Sequence, residues 1–262
     1  MKVKESEVFG SMASPKNFSQ ILELVQTHNA RRNNVYMWRG QGNFEWPIHS
    51  SAYRRLNLDS SSVTEHGMRI YENWLLRQAR HQGYGYENGR RLSDFELLAK
   101  LQHHGAATRL IDCSRNILVA LWFACRSEPN KTGLLFGLHS DGLGGVETKP
   151  ENRPYNEIFL QGQYNDDSHP QTWQPPVVTK RIAAQSAHFL YSSVCEHKMG
   201  SLAFESDPHA FLAIAISPSL KKMALELLAG TFDIRHITLF PDIDGFCYAH
   251  GERFGQFNNE RW

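Results

Sequence analysis

Apolar residues recur at helical spacing early in the chain, with Phe18, Ile21, Leu22 and Val25 at i, i+3, i+4 and i+7. That pattern predicts a helix burying one stripe. Ser14-Pro15 precedes it and predicts the helix start, serine as N-cap and proline at the first helical position. Val35 to Arg39 reads as a short strand, ended by Gly40, Gly42 and Pro47. A helix from about Thr64 carries Met68, Tyr71, Trp74 and Leu75 on one face, and Gly83, Gly85 and Gly89 break the pattern beyond it. Ser93 and Glu96 form a capping box that opens a helix through Leu97, Leu98 and Leu101 to near Gly105. After Thr108 to Asp112, Ile117, Ala120, Leu121 and Ala124 predict another helix, with Ser114 as its cap.

Leu134 to Leu138 is a strand candidate. Residues 139–180 are rich in Gly, Pro, Asn and Asp and lack periodicity, which predicts an irregular insertion. His188 to Tyr191 and Phe211 to Ile216 read as strands. Ser217-Pro218 repeats the cap-and-proline start, Gly230 sits where a C′ glycine belongs, and Ile237 to Phe240 reads as a last strand closed by Pro241-Asp242. Strands and helices without regular alternation favour an α+β fold in one domain, its sheet mixed or antiparallel and flanked by helices. The expected division is a helical segment at 1–30, the main domain at 31–250 with its insertion, and a tail at 251–262.

The 262 residues are 41% hydrophobic and carry a formal charge of +1, which argues against a wholesale basic surface but leaves room for a local basic groove. No run of about 18 apolar residues predicts a membrane helix, and Met1-Lys2-Val3-Lys4-Glu5 lacks the apolar stretch of a secretory signal. Cys113, Cys125, Cys195 and Cys247 are widely spread with no CxxC, as expected of reduced thiols in a cytoplasmic protein.

Two polar clusters stand out. Arg39-Gly40-Gln41 closes an otherwise apolar strand, so Arg39 either reaches water or is a buried cation that needs anionic partners. Gly40 would let a phosphate approach the backbone, and a guanidinium suits a diphosphate. The stretch from Gln102 to Asp112 is the densest polar segment. Its His103-His104 pair lacks metal-ligand spacing, so no metal is expected, and Arg109 and Asp112 could form an internal ion pair that fixes the turn. Cys113 is a nucleophile candidate or a buried helix-start cysteine. Phosphate-loop, dinucleotide-fingerprint and nucleophile-elbow motifs are absent. The residues themselves lead as far as a pocket lined by Arg39, His104, Arg109 and Asp112.

These segments resemble the FRG domain, named for a Phe/Tyr-Arg-Gly motif that stands here as Trp38-Arg39-Gly40-Gln41. Trp46-Pro47, Ser51 and Arg54 come after it in the usual order. Three further signatures are Gln102 to Asp112 running into Asn116 to Ala124, Arg181 to Phe189, and Leu239 to Gly245, so the resemblance spans roughly residues 35–246. Ala107, Cys113 and Ser186-Ala187 depart from the common pattern. The FRG pattern is in turn similar to the arginine-type ADP-ribosyltransferase fold, in which an Arg-Gly at the end of the first strand holds NAD. Arg39-Gly40, Thr108 and the Ala120 to Ala124 helix reproduce that order, while Gln185 stands where those enzymes carry a late glutamate.

The resemblance implies cleavage of the nicotinamide–ribose bond of NAD, used as co-substrate, and capture of the ribosyl carbon by an acceptor. It assigns Arg39, Gly40, Gln41, His104, Gly105, Thr108 and Arg109 to NAD binding and Arg39, Thr108, Asp112 and Gln185 to catalysis, with Asp242 or Asp244 as alternative acids. It also implies a bacterial toxin or phage-defence effector, with an antitoxin or inhibitor as a further partner. The acceptor is a nucleic acid (RNA or single-stranded DNA) or a protein. Arg31-Arg32, Arg54-Arg55 and Arg90-Arg91, interleaved with Trp46, Tyr53, Tyr84 and Tyr86, form either a stacking and phosphate surface or ordinary solvated positions. Two rival readings are a non-catalytic nucleotide or nucleic-acid binding module and a metal-free nuclease using His103 or His104 with Arg109.

Overall fold

The apolar runs Leu134–Leu138 and Phe211–Ile216 become strands at the centre of one sheet, while the longest, Ile117–Cys125, becomes a helix packed on it. The computed structural model of the protein describes residues 2–29, 36–58, 62–140, 143–144, 151–158, 170–177, 179–204 and 210–251; Arg31, Arg32 and Val35 lie outside them. The strands are β1 (Lys2–Ser6), β2 (Gly10–Ser14), β3 (Tyr36–Gln41), β4 (Tyr86–Glu87), β5 (Arg90–Arg91), β6 (Ile111–Ser114), β7 (Gly133–His139), β8 (Gln171–Trp173), β9 (Ala187–Tyr191) and β10 (Phe211–Ile216). The helices are α1 (Phe18–Asn29), α2 (Ser51–Asn57), α3 (Glu65–His81), α4 (Asp94–His103), α5 (Ile117–Arg126), α6 (Tyr155–Ile158), α7 (Lys180–Ala184), α8 (Pro218–Phe232), α9 (His236–Leu239) and α10 (Ile243–Ala249).

Eight strands form one sheet in the order β1-β2-β10-β7-β3-β6-β9-β8, while β4 and β5 make a separate ribbon. Its ladders are antiparallel except where β10 meets β2 in parallel at Ile214 and Ala13. The chain is thus an α+β protein with a mixed sheet flanked by helices. Side-chain alternation assigns the faces. Tyr36, Trp38, Leu135, Ile214 and Ile216 pack with α1, α5 and α8, whereas Met37, Leu134, Phe136, Ala213 and Ala215 face Phe9, Ile48, Met199 and Leu202. Covered on both sides, β7 is buried at every position. A third core joins α3 and α4 to β8 and β9 through Leu76, Phe95, Leu98, Trp173 and Phe189.

Several expected elements are revised. The first 30 residues hold the β1–β2 hairpin as well as a helix, and β2 ties that hairpin to the main sheet. Little marks it in the sequence, because only Ser6 in β1 and Met12 in β2 are buried. Ser14 ends β2 rather than capping a helix; the Asn17 side chain accepts from Gln20 N at 3.0 Å, and α1 starts at Phe18. Leu22 is exposed, so the stripe of α1 runs through Phe18, Ile21, Leu24 and Val25. Within 139–180, α6 and β8 bring Tyr155 and Trp173 into the core, too short to show a period. Ser114 ends β6 and Asn116 caps α5, accepting from Leu118 N at 3.0 Å.

Near the C-terminus, α8 continues past Gly230 to Phe232 and stops at Asp233, whose φ of 52° is left-handed. The run Ile237 to Phe240 forms no strand: α9 covers His236–Leu239, burying His236 and Leu239 at i and i+3. Tertiary packing there overrides β propensity. Asp242 caps α10, accepting from Gly245 N at 2.8 Å. No helix among the described residues is long and apolar enough to cross a membrane.

Candidate functional site

Among the described residues β3 and β6 pair at Trp38 and Ser114 alone. Past that pair the strands part, and a cavity of about 270 Å³ opens between them. Arg39, Gln102, His103, Asp112, Arg181 and Gln185 supply its polar wall, and Trp38, Phe123 and Phe240 its apolar one. Helix α5 forms part of the wall because Gly40 lacks a side chain. A Cβ at Gly40 would stand 1.9 Å from Ala120 O and 2.5 Å from Ala124 N. The glycine is therefore demanded by strand–helix packing, independently of any phosphate.

Arg39 is held by neutral acceptors. Its Nη1 donates to Asp112 O at 2.7 Å and its Nε to Gln41 Oε1 at 3.3 Å. No carboxylate contacts it among the described residues. Burial pulls its pKa below the ordinary value, and the Asp112 charge opposes that shift. A guanidinium lining a cavity, fixed in place yet not neutralised by contact, is poised for an anionic ligand.

Asp112 is aimed by a short relay. Fully buried Thr108 is clamped against α2, its N–H donating to Ser51 Oγ at 3.0 Å. The Thr108 hydroxyl donates to Gln102 Oε1. That contact turns the Gln102 amide so that Nε2 donates to Asp112 Oδ1 at 2.7 Å. Thr108 therefore acts through Gln102, not on the cavity, and Asp112 is the one carboxylate lining the cavity among the described residues.

Other expected site residues lie elsewhere. Arg109 is 3% exposed and points into the α3–α6 core, where its Nε meets Glu72 Oε2 at 2.6 Å and its Nη2 meets Glu65 Oε1 at 3.1 Å. It also donates to Tyr155 Oη and does not pair with Asp112. Burial alone would lower its pKa, but Glu72, Tyr155 and Glu65 outweigh that and drive it upward. So stabilised, Arg109 is a structural cation rather than an NAD ligand. His104 is exposed beside Asp244 at 3.2 Å and does not line the cavity. Gln41 is buried and donates to Trp46 O at 2.8 Å, serving as a brace for Arg39. Gly105, at φ 90°, belongs to a neighbouring cavity. Cys113 is buried within β6, not at a helix start, and lines the first cavity.

Arg181, unassigned on sequence grounds, is fixed by Asp242, with Nη2 to Oδ1 at 2.7 Å, and donates from Nη1 to His103 O at 2.9 Å. Asp242 is thereby committed to Arg181 and to capping α10. Gln185 stands at the C-terminus of α7 rather than on a strand, and its amide donates to Leu239 O at 2.9 Å. The His103 ring meets Thr179 Oγ1 at 3.1 Å. Among the described residues no three His, Cys, Asp or Glu side chains converge as a metal set.

Burial lowers the pKa of His103, against the charge of Asp112 and with that of Arg181, and it also lowers those of His49 and His236. An imidazole whose folded pKa lies below its unfolded value binds protons more readily in the unfolded chain, so stability rises with pH through that window. Asp242, lowered chiefly by its Arg181 hydrogen bond, acts in the same direction further into acid. The urea midpoint is expected to hold steady above about pH 7 and to fall as pH drops below the ordinary imidazole value of about 6.5. Urea titrations across that range check it, and a midpoint flat down to about pH 5 would contradict the burial of these rings.

Residues 34–133 match the family model of the FRG domain. No curated protein and no solved structure matches the chain. The matched segment runs from β3 through α5 to the start of β7 and carries Arg39, Gln102, His103 and Asp112, whereas Arg181 and Gln185 reach the cavity from beyond it. Residues 34–133 are thus similar to the FRG domain, with the motif arginine at the mouth of the β3–β6 split.

Proposed function

We propose that the protein is an NAD-dependent ADP-ribosyltransferase whose donor site is the β3–β6 cavity, on a core of the arginine-type ADP-ribosyltransferase kind. The observation that carries this reading is Arg39, a cavity-lining guanidinium held by Asp112 O and Gln41 Oε1 with no carboxylate in contact among the described residues. It takes the diphosphate, while Arg181, paired with Asp242, lines the wall beside it. The volume of about 270 Å³ suits the nicotinamide–ribose half, with the rest of NAD along the mouth. Trp38, Phe123 and Phe240 shelter the nicotinamide, and Gln185 and His103 orient its amide and the ribose.

In the reaction the bond between the ribosyl carbon and nicotinamide nitrogen breaks, and its electron pair leaves with neutral nicotinamide. A lone pair of the acceptor forms the new bond to that carbon, and the acceptor proton passes to the Asp112 carboxylate. Gln102 holds that carboxylate in position. General-base help of this kind is worth about 10²–10⁴-fold. The accompanying cellular role is that of a toxin or phage-defence effector.

A second reading, a non-catalytic nucleotide-binding module, draws on Gln185, a neutral amide tied to Leu239 O where an acid is expected of a transferase. Incubation with NAD labelled in its adenylate, separately with total RNA, single-stranded DNA and lysate protein, separates the two. The transferase releases nicotinamide and labels one fraction. Binding of NAD with no nicotinamide released would leave the binding module.

A further inference from the structure

A second cavity, of about 210 Å³, shares Arg39, Gln102 and Asp112 with the first, so these three side chains form a common wall. Its remaining lining includes His49, Arg54, Gly105 and Ala106. Among the described residues its lining holds two guanidiniums and one carboxylate, that of the shared Asp112, which neither guanidinium contacts. Arg54 donates from Nη1 to His49 O at 2.6 Å, again a neutral acceptor. Burial first, and to a lesser degree the Arg54 charge, lower the pKa of Arg39 against the Asp112 charge, and a bound anion would favour both guanidiniums.

The other feature of this cavity is a rigid flat ring. His49 stacks on Tyr53 with centroids 4.4 Å apart and planes inclined by 10°. Burial, and then Arg54, hold its pKa below the ordinary imidazole value, which favours the neutral ring. A neutral ring backed by a tyrosine is a stacking surface for a base, and guanidiniums beside it suit the adjoining phosphate. Just outside, Arg55 lies over the Tyr71 ring at 5.8 Å, extending the pairing of cation and aromatic along α2 and α3. A protein acceptor would need neither the paired cations nor the stacked ring.

We propose that this second cavity receives one nucleotide of a single-stranded nucleic acid, its phosphate on Arg54 and its base against His49, and presents it across the Asp112 wall to the ribosyl carbon. The acceptor role rests on the donor reading given above; the strand site itself does not. A duplex would have to flip a base to enter so small a space, which favours an unpaired strand.

The test is fluorescence anisotropy of labelled 12-nucleotide RNA and DNA strands with the full chain, without NAD, comparing wild type, Arg54→Ala and Arg77→Ala. Arg77 is exposed on α3 and lines neither cavity. Arg54→Ala is expected to weaken binding about tenfold and to lower the salt slope by about one, while Arg77→Ala leaves both unchanged. Equal losses in the two variants, or no binding by the wild type, overturn the proposal. Arg54-dependent binding of adenosine monophosphate with none of the 12-mers overturns the strand and leaves a free nucleotide. Label carried only by lysate protein overturns the acceptor role. Arg54-dependent strand binding by a wild type that releases no nicotinamide supports the site and removes the transferase.

Discussion

Replacing Arg39 with alanine is expected to lower nicotinamide release from NAD by roughly 10²–10³-fold, the scale seen when one preorganised charge-stabilising donor is removed. The cause is geometric. Asp112 O and Gln41 Oε1 hold the guanidinium where the β3–β6 split opens, so no reorganisation is needed when a diphosphate arrives. Arg181 cannot replace it, because a bidentate contact commits Arg181 to Asp242. Arg39→Lys should recover little, since an ammonium lacks the planar fork that spans two phosphate oxygens while bonding the Asp112 carbonyl. Far-ultraviolet circular dichroism and the urea midpoint, measured alongside turnover, separate loss of chemistry from loss of fold. An Arg39→Ala protein with wild-type turnover would remove the donor-site assignment.

Where a local signal decides an element, the sequence reveals it. The Ser93–Glu96 box is present with both hydrogen bonds, Ser217-Pro218 starts α8, and Phe211–Ile216 is a strand with both ends as expected. Elements decided by distant contacts stay hidden. The β1–β2 hairpin offers almost no buried alternation, and α9 forms against β propensity because His236 stacks on Phe240 with centroids 4.6 Å apart. The same division runs through the site. Arg39, Asp112 and Gln185 do line the cavity, and each sits in a motif visible in the chain. The relay through Thr108 and Gln102 emerges only once α4 and β6 are placed side by side.

Arg109 shows how a site residue is misread from sequence, and which signal corrects it. Its partners Glu65 and Glu72 precede it by 44 and 37 positions, on α3. They share a helical spacing with Met68 and Leu76, at i, i+3, i+7 and i+11, so an apolar stripe on α3 contains two acids. Glutamates on a core-facing stripe require a buried cation, and the arginine between Thr108 and Leu110 supplies it.

That network sets the other large expectation. Glu72→Ala should cost about 3–5 kcal/mol, because it strips a buried guanidinium of its closest carboxylate. Glu72 is fully buried and accepts from Arg109 Nε at 2.6 Å, from Arg109 N at 2.6 Å and from Tyr155 Oη, so one truncation leaves three donors without that acceptor. A loss of that size is a large share of the roughly 5–15 kcal/mol by which domains are stable. Arg109→Ala should cost a similar amount by orphaning the acid instead. Replacing both charges with apolar residues of similar volume, as Glu72→Leu with Arg109→Met, should recover much of either loss, since the desolvation of both ions is removed together. Adding Tyr155→Phe removes the hydroxyl that had donated to Glu72 and should recover more. Urea midpoints across this series check these losses and recoveries. A Glu72→Ala protein destabilised by less than about 1 kcal/mol would mean that water reaches Arg109 and that the network does not anchor α6 to α3.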